Sequence, residues 1–285
     1  MKQKLRSYSR EKNFLVCIDS DGCAMNTMEL KHRTCFAPCL ITEWGLEAYE
    51  KQVEKLWMDV NVYAVTRGVN RFQGLYIVLK YIDENIVQIP DVDSYGRFLE
   101  TTEEFSNVAI IRYLEDNYDE MLEKVLRWSQ MVSKNISLIP VEERKPFDGV
   151  EDAIDAMSDL CDIVVVSAAN PDAVHEEWEM HGLMYRVKNI FSQNVGTQAF
   201  CIKRLMEEGY DKDHIILIGD GLENLHISQE TGVLYFPILG NQETTSWEFF
   251  REVAFEKFIE GTYAGSYQEE QMKLLLDSLT EEYWL

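Results

Sequence analysis

The residues with the clearest chemical potential are aspartates and a serine that terminate short apolar runs. Phe14-Leu-Val-Cys-Ile18 stops at Asp19-Ser20-Asp21-Gly22, and Asp162-Ile-Val-Val-Val-Ser167 leads into Ala168-Ala169-Asn170-Pro171. His214-Ile-Ile-Leu-Ile218 runs into Gly219-Asp220-Gly221. Two carboxylates two residues apart can divide labour, one as nucleophile and the other as general acid and base. A further carboxylate converging on them concentrates negative charge, which a hard cation with oxygen ligands offsets. A serine hydroxyl at a neighbouring strand end, with a helix opening near Pro171, supplies donors to an anion. Taken singly, Asp-x-Asp-Gly and Gly-Asp-Gly are weak, because turns favour Asp and Gly anyway. Their joint placement at strand ends is the stronger signal.

The elements that must position these residues are legible as well. A fourth apolar run, Val233-Leu-Tyr-Phe236, precedes Pro237, and helical patterns cover 149–160, 173–180, 197–208 and 222–230. Apolar strands alternating with helices predict an α/β fold, a doubly wound parallel sheet covered on both faces. In such a sheet, ligands bind at the carboxyl ends of the strands. The stretch 24–145 differs, with helical periodicity and almost no strand signal. Leu46, Tyr49, Val53, Leu56, Trp57 and Val60 form one apolar stripe. Leu75, Val78, Leu79, Ile82 and Ile86 form another, and Leu122, Val125, Leu126 and Val132 a third. This predicts an all-helical domain over 24–145, inserted into a core made of 1–23 and 146–285. The proline-glycine turn Arg144-Lys145-Pro146-Phe147-Asp148-Gly149 marks its return. Trp247, Phe250, Val253, Ala254 and Phe258 predict a helix packed on the core.

Composition sets the outer bounds. The chain has 285 residues, 46% hydrophobic and 12% aromatic, enough for two cores and incompatible with disorder. Fifty acidic against 27 basic residues give a net charge of −23, which opposes sequence-independent binding to nucleic acid and to anionic membranes. No apolar run approaches the roughly 18–20 residues of a membrane span. Phe14–Ile18, after a basic start, is too short for the core of a signal peptide. Six scattered cysteines read as reduced thiols. These bounds predict a cytoplasmic protein, a monomer or homodimer, binding neither nucleic acid nor membrane.

Cys17-Ile18-Asp19-Ser20-Asp21-Gly22, Val165-Val166-Ser167 and Ile218-Gly219-Asp220-Gly221 together resemble the motifs of the haloacid dehalogenase superfamily. The helical insert and the Pro146-Phe147-Asp148-Gly149-Val150 return resemble the branch whose cap follows the first motif (C1 type). The resemblance spans nearly the whole chain and implies a Rossmann-like core with a helical cap. It also implies Mg²⁺-dependent hydrolysis of a small phosphorylated metabolite through an aspartyl-phosphate intermediate. Asp19 would be the nucleophile, and Asp21 would protonate the leaving oxygen and later deprotonate water. Asp19, the Asp21 backbone carbonyl and Asp220 would hold the metal, and Ser167 a phosphate oxygen. Gly22, Ala168 and Asn170, in the same loops, join the substrate-contact set. Asp21 separates this chain from the dehalogenases of the fold, whose halide leaving group needs no proton. A phosphomutase, or a catalytically weakened ligand-binding or regulatory protein on the same scaffold, are the alternatives.

Two positions depart from the family pattern. The expected third-motif lysine aligns best with Gln198; Lys203 follows at roughly 140° further round the helix, and Lys188 fits the spacing less well. Asn224 stands where a second fourth-motif aspartate is common, and an amide can ligate Mg²⁺ or hold its water. Arg67 and Arg71 interrupt an acidic chain near a helix start and become candidate contacts to an anionic substrate, with Lys31, His32 and Arg33 behind them. His32, Cys35 and Cys39 have metal-like spacing but lack a fourth ligand, so they read as packed side chains. Cys23 reads as a small residue filling a turn.

Overall fold

The computed structural model describes residues 8–102, 104–279 and 283–284. The chain divides into two compact units, Met1–Met28 with Val141–Leu279, and Glu29–Pro140 with Thr280–Leu285.

The first unit is built on five strands: β1 (Phe14–Ile18), β2 (Cys161–Val166), β3 (Asn189–Phe191), β4 (Ile215–Gly219) and β5 (Leu234–Pro237). They pair in the order β3-β2-β1-β4-β5, and every pairing is parallel. β1 is therefore central, with Ile18 in register with Val165 on one side and Ile218 on the other. Alternation of side chains splits the sheet into two apolar faces. Val16, Ile18, Ile163, Val165, Ile216 and Ile218 share one core with Trp178, Trp247, Phe250 and Phe258. Leu15, Cys17, Val164, Val166, Ile215 and Leu217 share the other with Ile202, Leu205 and Leu275. Burial on both faces explains why these strands read as continuous apolar runs. β3, only three residues long, adds a strand beyond the four apolar runs of the sequence. Val253, expected on the buried face of its helix, is half-exposed, because a wider turn at Phe250–Ala254 shifts the helical phase.

The second unit is helical, with helices including Ala37–Trp44, Glu50–Met58, Arg71–Asn85, Val92–Thr101, Asn107–Asp116 and Glu120–Ser137. No strand occurs in it among the described residues. Phe36, Trp57 and Trp128 pack together in it with ring centroids 5.8–6.0 Å apart, Phe36 stacked on Trp57 and Trp128 inclined to both. Each of the three expected stripes is interrupted: Tyr49 is exposed, Ile86 is half-buried just past its helix, and Leu126 is half-buried.

The boundaries also shift from the expected 24–145. Residues 24–28 and 141–145 belong to the sheet unit, where the outgoing and returning connections pair with each other. Met25 bridges Pro146, the Asn26 N–H donates to the Lys145 carbonyl at 2.7 Å, and the Phe147 N–H to Ala24 at 2.9 Å. Conversely, Tyr283 leaves the sheet unit for the helical one, where its hydroxyl donates to Asp59 at 2.6 Å and its ring meets Tyr81.

Candidate active site

Asp19, Ser167 and Asp220 each follow directly on one of three adjacent strands, at their carboxyl ends. The Asp19 N–H extends the ladder by donating to the Ile218 carbonyl at 3.0 Å, and the Ser167 N–H does the same to Phe191 at 2.9 Å. The backbone reaches of the sheet thus fix where these side chains start.

The Asp19 carboxylate is the hub. Its Oδ1 accepts the Ser20 N–H at 2.7 Å, and its Oδ2 accepts Nδ2 of Asn224 at 2.7 Å. Asn224 Oδ1 in turn accepts the backbone N–H groups of Asp220 and Gly221 at 3.2 and 3.3 Å, which fixes the orientation of the amide. This close packing needs Gly219: a Cβ there would come within 2.4 Å of the Asn224 side chain. Gln198 is buried, donates Nε2 to the Val166 carbonyl at 2.9 Å, and accepts Asn224 Nδ2 on Oε1 at 3.4 Å.

Asp19 is partly exposed as a residue, yet its carboxyl is desolvated. Burial first, and the nearby Asp220 carboxylate second, push its pKa up to about 7; hydrogen bonds from Gln198, Asn224 and the Ser20 N–H oppose the rise without cancelling it. Two carboxylates that repel each other, as oxygen donors short of positive charge, fit a hard divalent cation such as Mg²⁺. Asp19 and Asp220 would be its side-chain ligands.

The remaining expected residues divide. Asp21 accepts the hydroxyl of Thr27 on Oδ1, so a partner missed in the sequence orients it. Buried Ser167 accepts the Ala169 N–H at 3.1 Å, which leaves its own O–H to donate. Asn224 does not present its oxygen as a metal ligand, because that oxygen serves the backbone of the loop and the NH₂ faces Asp19. Gly22, at φ 76°, directs its N–H to the Met25 carbonyl at 2.9 Å instead of to a ligand. Asn170 is exposed and caps its helix, accepting the N–H groups of Asp172 and Ala173, and Ala168 is exposed beside it.

Neither alternative lysine reaches the carboxylates. Lys203 is at the surface and pairs with Glu230 at 2.6 Å, as its angular offset from Gln198 requires. Lys188 pairs with Glu11 and Asp162 at 3.1 and 3.2 Å, at the amino end of β2.

In the helical unit, Arg67 is buried and donates Nη1 to the Val62 carbonyl at 2.6 Å. Arg71 donates to Ser133 Oγ at 3.2 Å and lies over the Phe36 ring, and burial lowers the pKa of its guanidinium. Arg33 is spent on Glu29 and Glu54. His32 stacks on Phe36 and accepts the Trp57 indole N–H on Nδ1, while Cys35 and Cys39 are buried. All six cysteines are free and buried, and no group of three or more His, Cys, Asp or Glu suited to a metal occurs among the described residues. No helix among them is long and apolar enough to cross a membrane.

No family model matches the chain, and no curated protein matches it in sequence. Solved structures do resemble it. A haloacid dehalogenase-like family hydrolase from Xanthomonas campestris superposes with a TM-score of 0.51 at 12% identity, covering 90% of this chain and 98% of that one. A candidate phosphoglycolate phosphatase from Lactobacillus delbrueckii gives 0.50 at 14% identity, covering 93% and 99%. The architecture shared is that of the haloacid dehalogenase-like hydrolases, and at these identities the likeness is one of fold.

Proposed function

We propose that this chain, which has the haloacid dehalogenase-like fold, is a Mg²⁺-dependent phosphatase acting on a small phosphate monoester. The observation that carries the reading is the Asp19 carboxylate at the end of the central strand, held by Ser20 and Asn224 and crowded by Asp220. In the reaction, an Asp19 oxygen attacks phosphorus and the bond to the ester oxygen breaks. Asp21 gives that oxygen its proton, and the alcohol leaves. Water then attacks the aspartyl phosphate while Asp21 takes a proton back, releasing inorganic phosphate and restoring Asp19. Ser167 donates its hydroxyl to a phosphate oxygen. The Gln198 and Asn224 amides keep Asp19 aligned and favour its charged form. Asp19 and Asp220 would hold Mg²⁺, which would supply positive charge for the phosphoryl oxygens.

A second reading, a phosphate-ligand binding protein of low turnover, is favoured by one observation. A neutral amide, Gln198, stands beside Asp19 where the family resemblance implies a lysine. Incubation of the purified protein with an aryl phosphate and Mg²⁺ separates the two. Release of phosphate that chelation stops supports the phosphatase. Binding of Mg²⁺ and phosphorylated metabolites without turnover supports the second reading, and the absence of both removes the two together.

A further inference from the structure

The loop that follows β1 is gripped by two tryptophans from distant parts of the chain. Trp178, on the helix Pro171–Met180, donates its indole N–H to Ser20 Oγ at 3.0 Å. Trp247, on the helix Glu243–Phe249, donates its indole N–H to the Cys23 carbonyl at 2.9 Å. Both rings are fully buried, and their partners lie 158 and 224 residues away in sequence. A buried indole N–H needs an acceptor, so ring and loop are fixed together.

Ser20 matters because of where it sits. It separates Asp19 from Asp21, its N–H rests on Asp19 Oδ1, and its carbonyl accepts the N–H groups of Cys23, Ala24 and Met25 at 3.3, 3.0 and 2.8 Å. Trp178 therefore holds the residue between the two carboxylates. Trp247 holds the far side of the same turn, beyond the left-handed Gly22. Small errors in the placement of reacting groups are costly to rate, and this turn sets the separation of the two carboxylates.

We propose that Trp178 and Trp247 are positioning residues, whose indole N–H groups clamp the turn that sets Asp19 against Asp21. The rate consequence rests on the phosphatase reading, while the clamp itself does not. Trp178→Phe and Trp247→Phe keep an aromatic ring but remove the N–H together with part of the indole's buried volume, so Trp128→Phe in the helical unit controls for the loss of an indole and Ser20→Ala removes the acceptor without that loss of volume. Two measurements are made on the full chain: kcat and KM with an aryl phosphate and Mg²⁺, and hydrogen exchange of the 20–25 segment by mass spectrometry.

For each clamp variant, kcat falls about 10–100-fold, KM stays within about twofold, and the 20–25 amides exchange faster while those of the strands do not. Ser20→Ala reproduces the Trp178→Phe defect, and the double variant is no worse than either single one. Unchanged kcat and unchanged loop exchange in both variants overturn the proposal, as does an equal effect from Trp128→Phe. If the unmodified chain turns over no phosphate ester, the phosphatase reading fails and exchange alone decides: unaltered loop protection in the Phe variants overturns the clamp.

Discussion

Asp19, just past the carboxyl end of β1, and Asp162, near the amino end of the neighbouring β2, are both withdrawn from water, yet their carboxyl groups shift in opposite directions. Burial raises each. At Asp162 the Tyr210 hydroxyl, the Glu11 and Lys12 N–H groups and the Lys188 ammonium outweigh it and hold the pKa below the usual carboxylate value. At Asp19 burial is joined by the charge of another carboxylate, Asp220, and the donors from Gln198, Asn224 and Ser20 do not outweigh the two, so the value rises to about 7. The lesson is that burial alone does not mark a reactive carboxylate. The balance of donors and the sign of the neighbouring charge do. Asp162 is a completed piece of structure, whereas Asp19 is left with a deficit of positive charge.

The largest test of this contrast is Asp19→Asn, which should lower phosphate ester turnover by at least about 1,000-fold in a folded protein, measured by steady-state kinetics with circular dichroism as the control. Appreciable activity in that variant would remove Asp19 as nucleophile. Asp162→Asn should do the reverse. Its donors lose a charged acceptor, so urea unfolding at pH 7 should show about 2–3 kcal/mol less stability while kcat stays within twofold. The pH dependence carries opposite signs at the two sites. Asp162, lowered on folding, stabilises above its unfolded pKa, and that contribution is lost as pH falls through the folded value. Asp19, raised on folding, becomes a growing penalty as pH climbs from about 4 to about 7. A cation on Asp19 competes with its proton, so calorimetry should find Mg²⁺ binding about tenfold tighter at pH 8 than at pH 6, and a flat profile would contradict the assignment. The smallest effects concern lysine. Gln198→Lys supplies the missing charge but loses the bonds to Val166 and Asn224, so turnover should rise roughly threefold to tenfold. Lys203→Ala, a surface pair with Glu230, should change it by less than about twofold. The opposite pattern would show that Lys203 supplies the charge.

Much of this was readable from the chain, for identifiable reasons. β1, β2, β4 and β5 are buried on both faces, so they appear as unbroken apolar runs that end where the chemistry begins. β3 carries only Ile190 and Phe191 as a signal, too short to separate from a loop. The Asp-x-Asp spacing, Ser167 and Asp220 were legible because strand ends place them. Asn224 was legible as a neighbour, one helical turn after Asp220, but not in its role: backbone N–H groups decide which end of the amide faces Asp19. Trp178 and Trp247 look like ordinary core residues in any local window. Their N–H partners are set by tertiary packing alone.

The order of strands has a consequence for how the chain is made. β1 is the centre of the sheet, but its partners begin only at Cys161 and Ile215, after residues 29–140 of the helical unit. At a synthesis rate of roughly 5–20 residues per second, Phe-Leu-Val-Cys-Ile leaves the ribosome and waits about 10–40 s before both its edges can be paired. Over that interval residues 29–140, the greater part of the helical unit, are already made while the sheet is not. The sheet is therefore the late-maturing half of the molecule, and its central strand stands with both edges unpaired for longer than any other.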